Sequence, residues 1–125
     1  MRAAAPPGVT VERHRADFQR LLSEAVLSIS QAGYNTVLDL LQCGPRMVLV
    51  PFAAAGETEQ TVRAQLLADA GRAVVVPEAG LTPQALAGAV DRALAAPPPA
   101  KLAVDCDGAA ASARALRGWL EARTP

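Results

Sequence analysis

The chain has 125 residues, 51% hydrophobic and 19% charged, which suits one domain with a real core and argues against wholesale disorder. Lys+Arg and Asp+Glu balance at 12 each, so no charge excess points to nucleic acid, anionic lipid or a basic partner. One histidine and two cysteines argue against a His/Cys metal centre, and 3% aromatics against a ladder of stacked bases.

Residues 1–8 read as a disordered arm; Met1 to Pro7 carry no apolar stretch of the kind a signal peptide needs. The longest apolar run, Met47 to Ala55, is broken by Pro51 and falls far short of the ~20 residues that cross a bilayer. A cytoplasmic setting is therefore expected, with Cys43 and Cys106 reduced.

Val9 to Glu12 is a short β-branched stretch, read as a strand. Phe18, Leu21, Leu22 and Ala25 recur at helical spacing and predict a helix over Arg15 to Ala25. Val26 to Ser30 alternates as a strand does, and Gln31-Ala32-Gly33 turns the chain. Asn35 or Thr36 is the expected cap of a helix running to Gln42, stopped by Gly44-Pro45. Met47 to Phe52 is almost wholly apolar, as in a strand covered on both faces.

After a loop around Gly56, Thr58 to Ala70 reads as a helix with Val62, Leu66, Leu67 and Ala70 facing inward, ended by Gly71. Ala73 to Val76 reads as a buried strand. Thr82-Pro83 is a strong helix start, and Leu86, Val90 and Leu94 mark the core face of a helix to Ala95. Pro97 to Pro99 is a stiff linker, and Leu102 to Cys106 is extended or irregular. A last helix, Ser112 to Ala122, is expected to pack Leu116, Trp119 and Leu120 inward on the same domain. Strands alternating with helices predict an α/β fold: three layers, a mostly parallel sheet of about four strands, and right-handed crossovers. Ligands in such sheets bind at the carboxyl ends of the strands, here the loops Gln31 to Thr36 and Ala53 to Gln60.

Those loops carry a resemblance. Ser28-Ile29-Ser30-Gln31-Ala32-Gly33-Tyr34-Asn35-Thr36-Val37-Leu38-Asp39-Leu40 is followed by Val48-Leu49-Val50-Pro51-Phe52, Glu59-Gln60-Thr61-Val62-Arg63-Ala64 and Ala70-Gly71. Together they resemble the C-terminal, nucleotide-sugar-binding half of GT-B glycosyltransferases. The likeness is to family 28, the type that includes bacterial enzymes adding N-acetylglucosamine to the lipid-linked peptidoglycan precursor. It runs from Val9 to Leu94 and implies a partial Rossmann-like domain over residues 9–96. The first two strands of the family's domain, and the whole acceptor-binding N-terminal half, would lie outside this chain. The resemblance therefore implies a donor-binding part with a separate acceptor-binding half or partner subunit, not active alone. It also implies an open sheet edge through which a homodimer is conceivable. Of the fates open to the Val9 strand, moving beside Val26 is the favoured one.

The implied donor is a nucleotide-diphosphate sugar, such as a UDP-hexose or UDP-N-acetylhexosamine. Small residues at Ala32 and Gly33, with Tyr34 and Thr36 at the following helix start, suit a diphosphate at a helix N-terminus. By resemblance Asp39 binds the ribose, where glutamate is more usual, and Glu59 and Gln60 hold the sugar hydroxyls. Arg63 stands where relatives often carry asparagine, and suits neutralising a diphosphate. The backbone near His14 and Arg15 matches the region that reads the base. No cofactor, metal or catalytic residue is assigned to this chain.

Each of these residues has a plain structural alternative. Thr36 and Asp39 have capping-box spacing, and Gly33 suits any turn. Glu59 and Gln60 suit a solvated first turn, Arg63 and His14 a surface, Tyr34 packing, and Asp105 and Asp107 a turn and a cap. The competing function is a non-enzymatic α/β interaction domain with a lost donor site. A phospho-receiver is excluded: the strands end in Ser30, Pro51 and Pro77, not in clustered acids, and the only lysine, Lys101, follows the proline linker.

Overall fold

A computed structural model describes residues 5–99 and 107–123. The chain order is α1 (Phe18–Glu24), β1 (Leu27–Ser30), α2 (Tyr34–Cys43), β2 (Arg46–Leu49), α3 (Glu59–Asp69), β3 (Ala73–Val75), α4 (Pro83–Ala95) and α5 (Gly108–Glu121). The strands form one parallel sheet in the order β1-β2-β3, with Ile29 opposite Val48 and Val48 opposite Val74.

Alternation along β2 sorts the two cores. Met47 and Leu49 face one side, where they meet Leu22, Val37, Leu40, Ala64 and Leu67 from α1, α2 and α3. Val48 faces the other side and meets Val76, Ala89 and Ala93, with Leu86 and Val90 packed beside them. The near-continuous apolar run at β2 is thus the signature of a strand covered on both faces, in a helix-sheet-helix stack.

The sheet has three strands where about four were expected. Val9 to Glu12 is not a strand, and Val9 and Val11 are exposed. Local contacts take the segment instead. The Val9 amide turns back onto the Pro6 carbonyl, and the Glu12 carboxylate pairs with Arg15. Four residues behind Pro6-Pro7-Gly8 bury too little to displace that turn. β1 is therefore an edge among the described residues.

Four helices depart, wholly or in part, from the faces read from their larger side chains. Val62 and Leu66 of α3 are exposed, while Ala64 and Leu67 are buried. On α4, Ala89 and Ala93 lie deepest and Leu94 is exposed. Both helices approach the sheet through small residues, which let backbone come close to backbone, with Leu67 of α3 and Leu86 and Val90 of α4 packed beside them as read. On α1 only Leu22 is buried; Phe18 and Leu21 are exposed. On α5, Leu116, Trp119 and Leu120 are all exposed, against the inward packing expected of them. Arg123 instead lies 4.6 Å from the centroid of the Trp119 ring. The expected extended stretch Leu102 to Cys106, with Asp105 and Cys106, lies outside the described residues.

Helix ends follow the sequence more closely. Gly44 closes α2 in the left-handed region at φ 79°, and Gly71 follows α3 at φ 67°. The Thr82 hydroxyl accepts from the Ala85 amide at 3.0 Å, and Asp107 caps α5 by accepting from Ala110 at 3.3 Å.

Candidate functional site

β1 and β2 run parallel, so the loops that follow them emerge side by side at one end of the sheet. The first loop carries Gln31 to Gly33 into α2. The second passes through a tight turn at Ala54–Gly56 into α3. In that turn Ala55 and Gly56 are both left-handed, at φ 56° and 80°. Ala55 has no glycine's freedom, and backbone strain of this kind is found at binding loops. The loop is tied down by Glu78, whose carboxylate accepts from the Ala53 amide at 3.2 Å.

Between the two loops lies an open cleft of about 470 Å³, lined by Gly33, Tyr34, Gly56, Glu57, Thr58, Glu59, Gln60 and Arg63. Five of the residues singled out from the sequence thus meet in one place: Gly33, Tyr34, Glu59, Gln60 and Arg63. Gly56, Glu57 and Thr58 were not named one by one, though the loop Ala53 to Gln60 that holds them was placed at the carboxyl end of the sheet.

The N-terminus of α2 opens on this cleft without a side-chain cap. Gly33 is its N-cap, and the Val37 amide bonds the Gly33 carbonyl at 3.0 Å, so the earlier amides of the first turn point outward. The capping box read from Thr36 and Asp39 does not form, because the cap is Gly33, two residues before Asn35 and three before Thr36. Thr36 lies directly beneath Gly33, its hydroxyl 3.8 Å from where a Cβ on that glycine would stand.

Three side-chain bonds shape the cleft floor. Gln60 Oε1 accepts from the Ala32 amide and from the Phe52 amide, each at 3.1 Å. Arg63 Nη1 donates to the Ala32 carbonyl at 2.6 Å, and its guanidinium lies 5.7 Å from the centroid of the exposed Tyr34 ring. Ala32 itself is fully buried in the core. Its amide, expected to face a phosphate, is given to Gln60. The Ser30 hydroxyl, at the end of β1, is buried with no hydrogen-bond partner among the described residues.

Asp39 stands apart from this cleft. It lies in the second turn of α2 and accepts from Gln19 Nε2 of α1 at 3.0 Å. On that side of the molecule a second open cleft of about 480 Å³ is lined by Glu12, His14, Arg15, Phe18 and Leu21, among others. Arg15 there is braced by Glu12 at 2.9 Å and by both oxygens of Asp17. Cys43 is a free thiol donating to the Gln19 carbonyl at 3.4 Å; burial, then the Asp39 charge, pushes its pKa up. Among the described residues no cluster of three or more His, Cys, Asp and Glu side chains could hold a metal ion. Nor is any helix there long and apolar enough to cross a membrane.

Residues 7–114 match the profile of the glycosyltransferase family 28 C-terminal domain. Over 71 residues the chain is 41% identical to the UDP-N-acetylglucosamine--N-acetylmuramyl-(pentapeptide) pyrophosphoryl-undecaprenol N-acetylglucosamine transferase of Polynucleobacter asymbioticus, covering 57% of this chain and 20% of that one. The transferase of the same name from Agrobacterium fabrum is 38% identical over 81 residues, covering 65% of this chain and 21% of its own. A crystal structure of the glycotransferase of kitacinnamycin superposes with a TM-score of 0.64 at 25% identity, over 74% of this chain and 22% of that one. The chain thus spans about a fifth of the length of the relatives it matches.

Proposed function

The chain belongs to the glycosyltransferase family 28 C-terminal domains, and from that premise we propose that it is the donor-binding part of a glycosyltransferase. The donor is a nucleotide-diphosphate sugar, a UDP-hexose or UDP-N-acetylhexosamine. The observation that carries the reading is the uncapped N-terminus of α2 opening on a cleft that α3 closes with Glu59, Gln60 and Arg63.

In this reading the diphosphate sits against the amides of Gly33 to Thr36, where the helix partial charge favours an anion. Arg63 stands at the same mouth and adds a full positive charge. The sugar extends toward Glu59 and Gln60, whose carboxylate and amide suit hydroxyl groups. The nucleoside lies the other way, along the Thr36–Asp39 face of α2, toward the cleft at His14 and Arg15. Asp39 reaches the ribose only by sharing or releasing Gln19, because the two are bonded in the free chain.

Chemistry follows from what the site holds. Transfer breaks the bond between the anomeric carbon and the diphosphate, and negative charge builds on the departing nucleotide. The α2 amides and Arg63 stabilise that charge where it develops. The acceptor and the group that takes its proton come from a separate half or partner subunit, so this chain alone does not turn over. A cytoplasmic setting goes with this reading.

The test is calorimetric titration of the purified chain with UDP and UDP-N-acetylglucosamine, alongside Arg63→Ala and Asp39→Ala. Saturable binding, weakened about tenfold by Arg63→Ala, is the expected result, the size of one charge-assisted contact. No binding at millimolar ligand to folded protein overturns the reading and leaves a non-enzymatic α/β domain.

A further inference from the structure

Two loops from different strands are held by one side chain. Ala32 lies between β1 and α2, and Phe52 lies just past β2; neither residue belongs to a strand or a helix. Their amides both go to Gln60 Oε1, at 3.1 Å each, and the Ala32 carbonyl goes to Arg63 one turn along the same helix. Both peptide groups of a fully buried residue are therefore satisfied from α3. Without Gln60 the Ala32 amide is a buried donor with no partner, which is costly.

We propose that Gln60 is a positioning residue: through Oε1 it locks the loops after β1 and β2 to α3, and so sets the mouth of α2 that receives the donor. What enters the mouth rests on the donor-site reading above; the lock itself is a property of the free chain. The two amide donors also fix which way the carboxamide faces, since only its oxygen can accept them. Its Nε2 is left for other work. Arg63 reinforces the lock at Ala32 and carries it on to Tyr34 through the ring contact.

Amide hydrogen exchange by NMR on the free chain tests this with two variants. Gln60→Met keeps the length of the side chain and loses the acceptor. Gln60→Glu keeps an acceptor oxygen and loses the Nε2 donors. Gln65→Ala, on the exposed side of α3, is the control. The expected result is exchange about tenfold faster at Ala32 and Phe52 in Gln60→Met, with Leu40 and Leu67 unchanged, and protection kept in Gln60→Glu. Unchanged exchange at both amides in Gln60→Met overturns the proposal, as does lost protection in Gln60→Glu. Acceleration spread evenly along α3 also overturns it, since that reports a weakened helix.

Ligand titration adds a readout that separates positioning from direct contact. A lock predicts that Gln60→Met weakens UDP itself, with any additional loss for UDP-N-acetylglucosamine reporting the Nε2 contact to the sugar. Selective loss of the sugar nucleotide, with UDP unaffected, assigns Gln60 to the sugar and overturns the lock as its main role. Failure of the unmodified chain to bind either ligand sinks the donor reading, while the exchange result still decides the lock.

Discussion

Gly44 ends α2 at φ 79°, and a Cβ there meets nothing within 4 Å among the described residues. Gly44→Ala therefore costs backbone strain alone, about 1 kcal/mol, seen as a lower urea midpoint with an unchanged slope. Such positions are readable because only glycine fits them cheaply. The start of the same helix was not readable, since Asn35 and Thr36 have capping chemistry and Gly33 has none. What placed the cap at Gly33 was the exit of the chain from β1, a tertiary fact. Asp17 carries a pH dependence. Hydrogen bonds from Arg15 first, and from Arg20 next, hold its carboxyl well below the usual range. A carboxyl depressed by folding adds stability above its unfolded pKa of about 4 and loses it as the pH falls toward the folded value. Asp17→Asn should flatten that acid-side slope in urea midpoints taken from pH 6 downward. Asp17 is still partly exposed to solvent, so the effect is small and shrinks with added salt.

At the scale of elements, Thr82 shows what one hydroxyl does for a helix. It accepts from the Ala85 amide while Pro83 sets the first turn. Thr82→Ala should cost about 1 kcal/mol and Thr82→Ser far less, by chemical denaturation. Leu40, with no exposed surface, should cost about 2–5 kcal/mol when cut to alanine, because α1, α2 and the sheet close around it. β2 and β3 were legible because a strand covered on both faces is apolar at every position, as in Met47 to Val50, whereas Val9 to Glu12, β-branched but uncovered, was misread as a strand. The helix faces were legible in part. Leu67, Leu86 and Val90 pack inward as read, but Val62, Leu66 and Leu94 do not, and Ala64, Ala89 and Ala93 take the closest approach to the sheet. The candidate site divides along the same line. Gly33, Tyr34, Glu59, Gln60 and Arg63 converge because parallel strands deliver their loops to one end of the sheet. Ala32 and Asp39 belong with them by sequence pattern, yet the first is drawn into the core and the second across to Gln19. Nothing in local spacing announces a bond between residues 19 and 39.

For the whole molecule, the decisive residue is its only tryptophan. The apolar positions of α5 have helical spacing, and a small domain rich in alanine would gain from covering them. Yet Trp119 is 57% exposed, and Leu116 and Leu120 are exposed beside it. The two cores close without them: Met47 and Leu49 are covered from one side, Val48 from the other, and no apolar face of β2 remains for a further helix. This arrangement makes Trp119 a reporter on α5 alone. Its emission should lie at the red position of a solvated indole and be quenched by acrylamide nearly as readily as free tryptophan. Urea should then unfold the chain by circular dichroism with little shift in tryptophan emission, because the indole moves from water to water. Far-ultraviolet and fluorescence transitions that coincide, with emission starting blue, would place α5 on the domain instead. A blue shift that grows with protein concentration would mean that a second molecule covers the stripe. The three outcomes differ in one inexpensive spectrum, because the sequence holds a single tryptophan and the fold leaves it outside both cores.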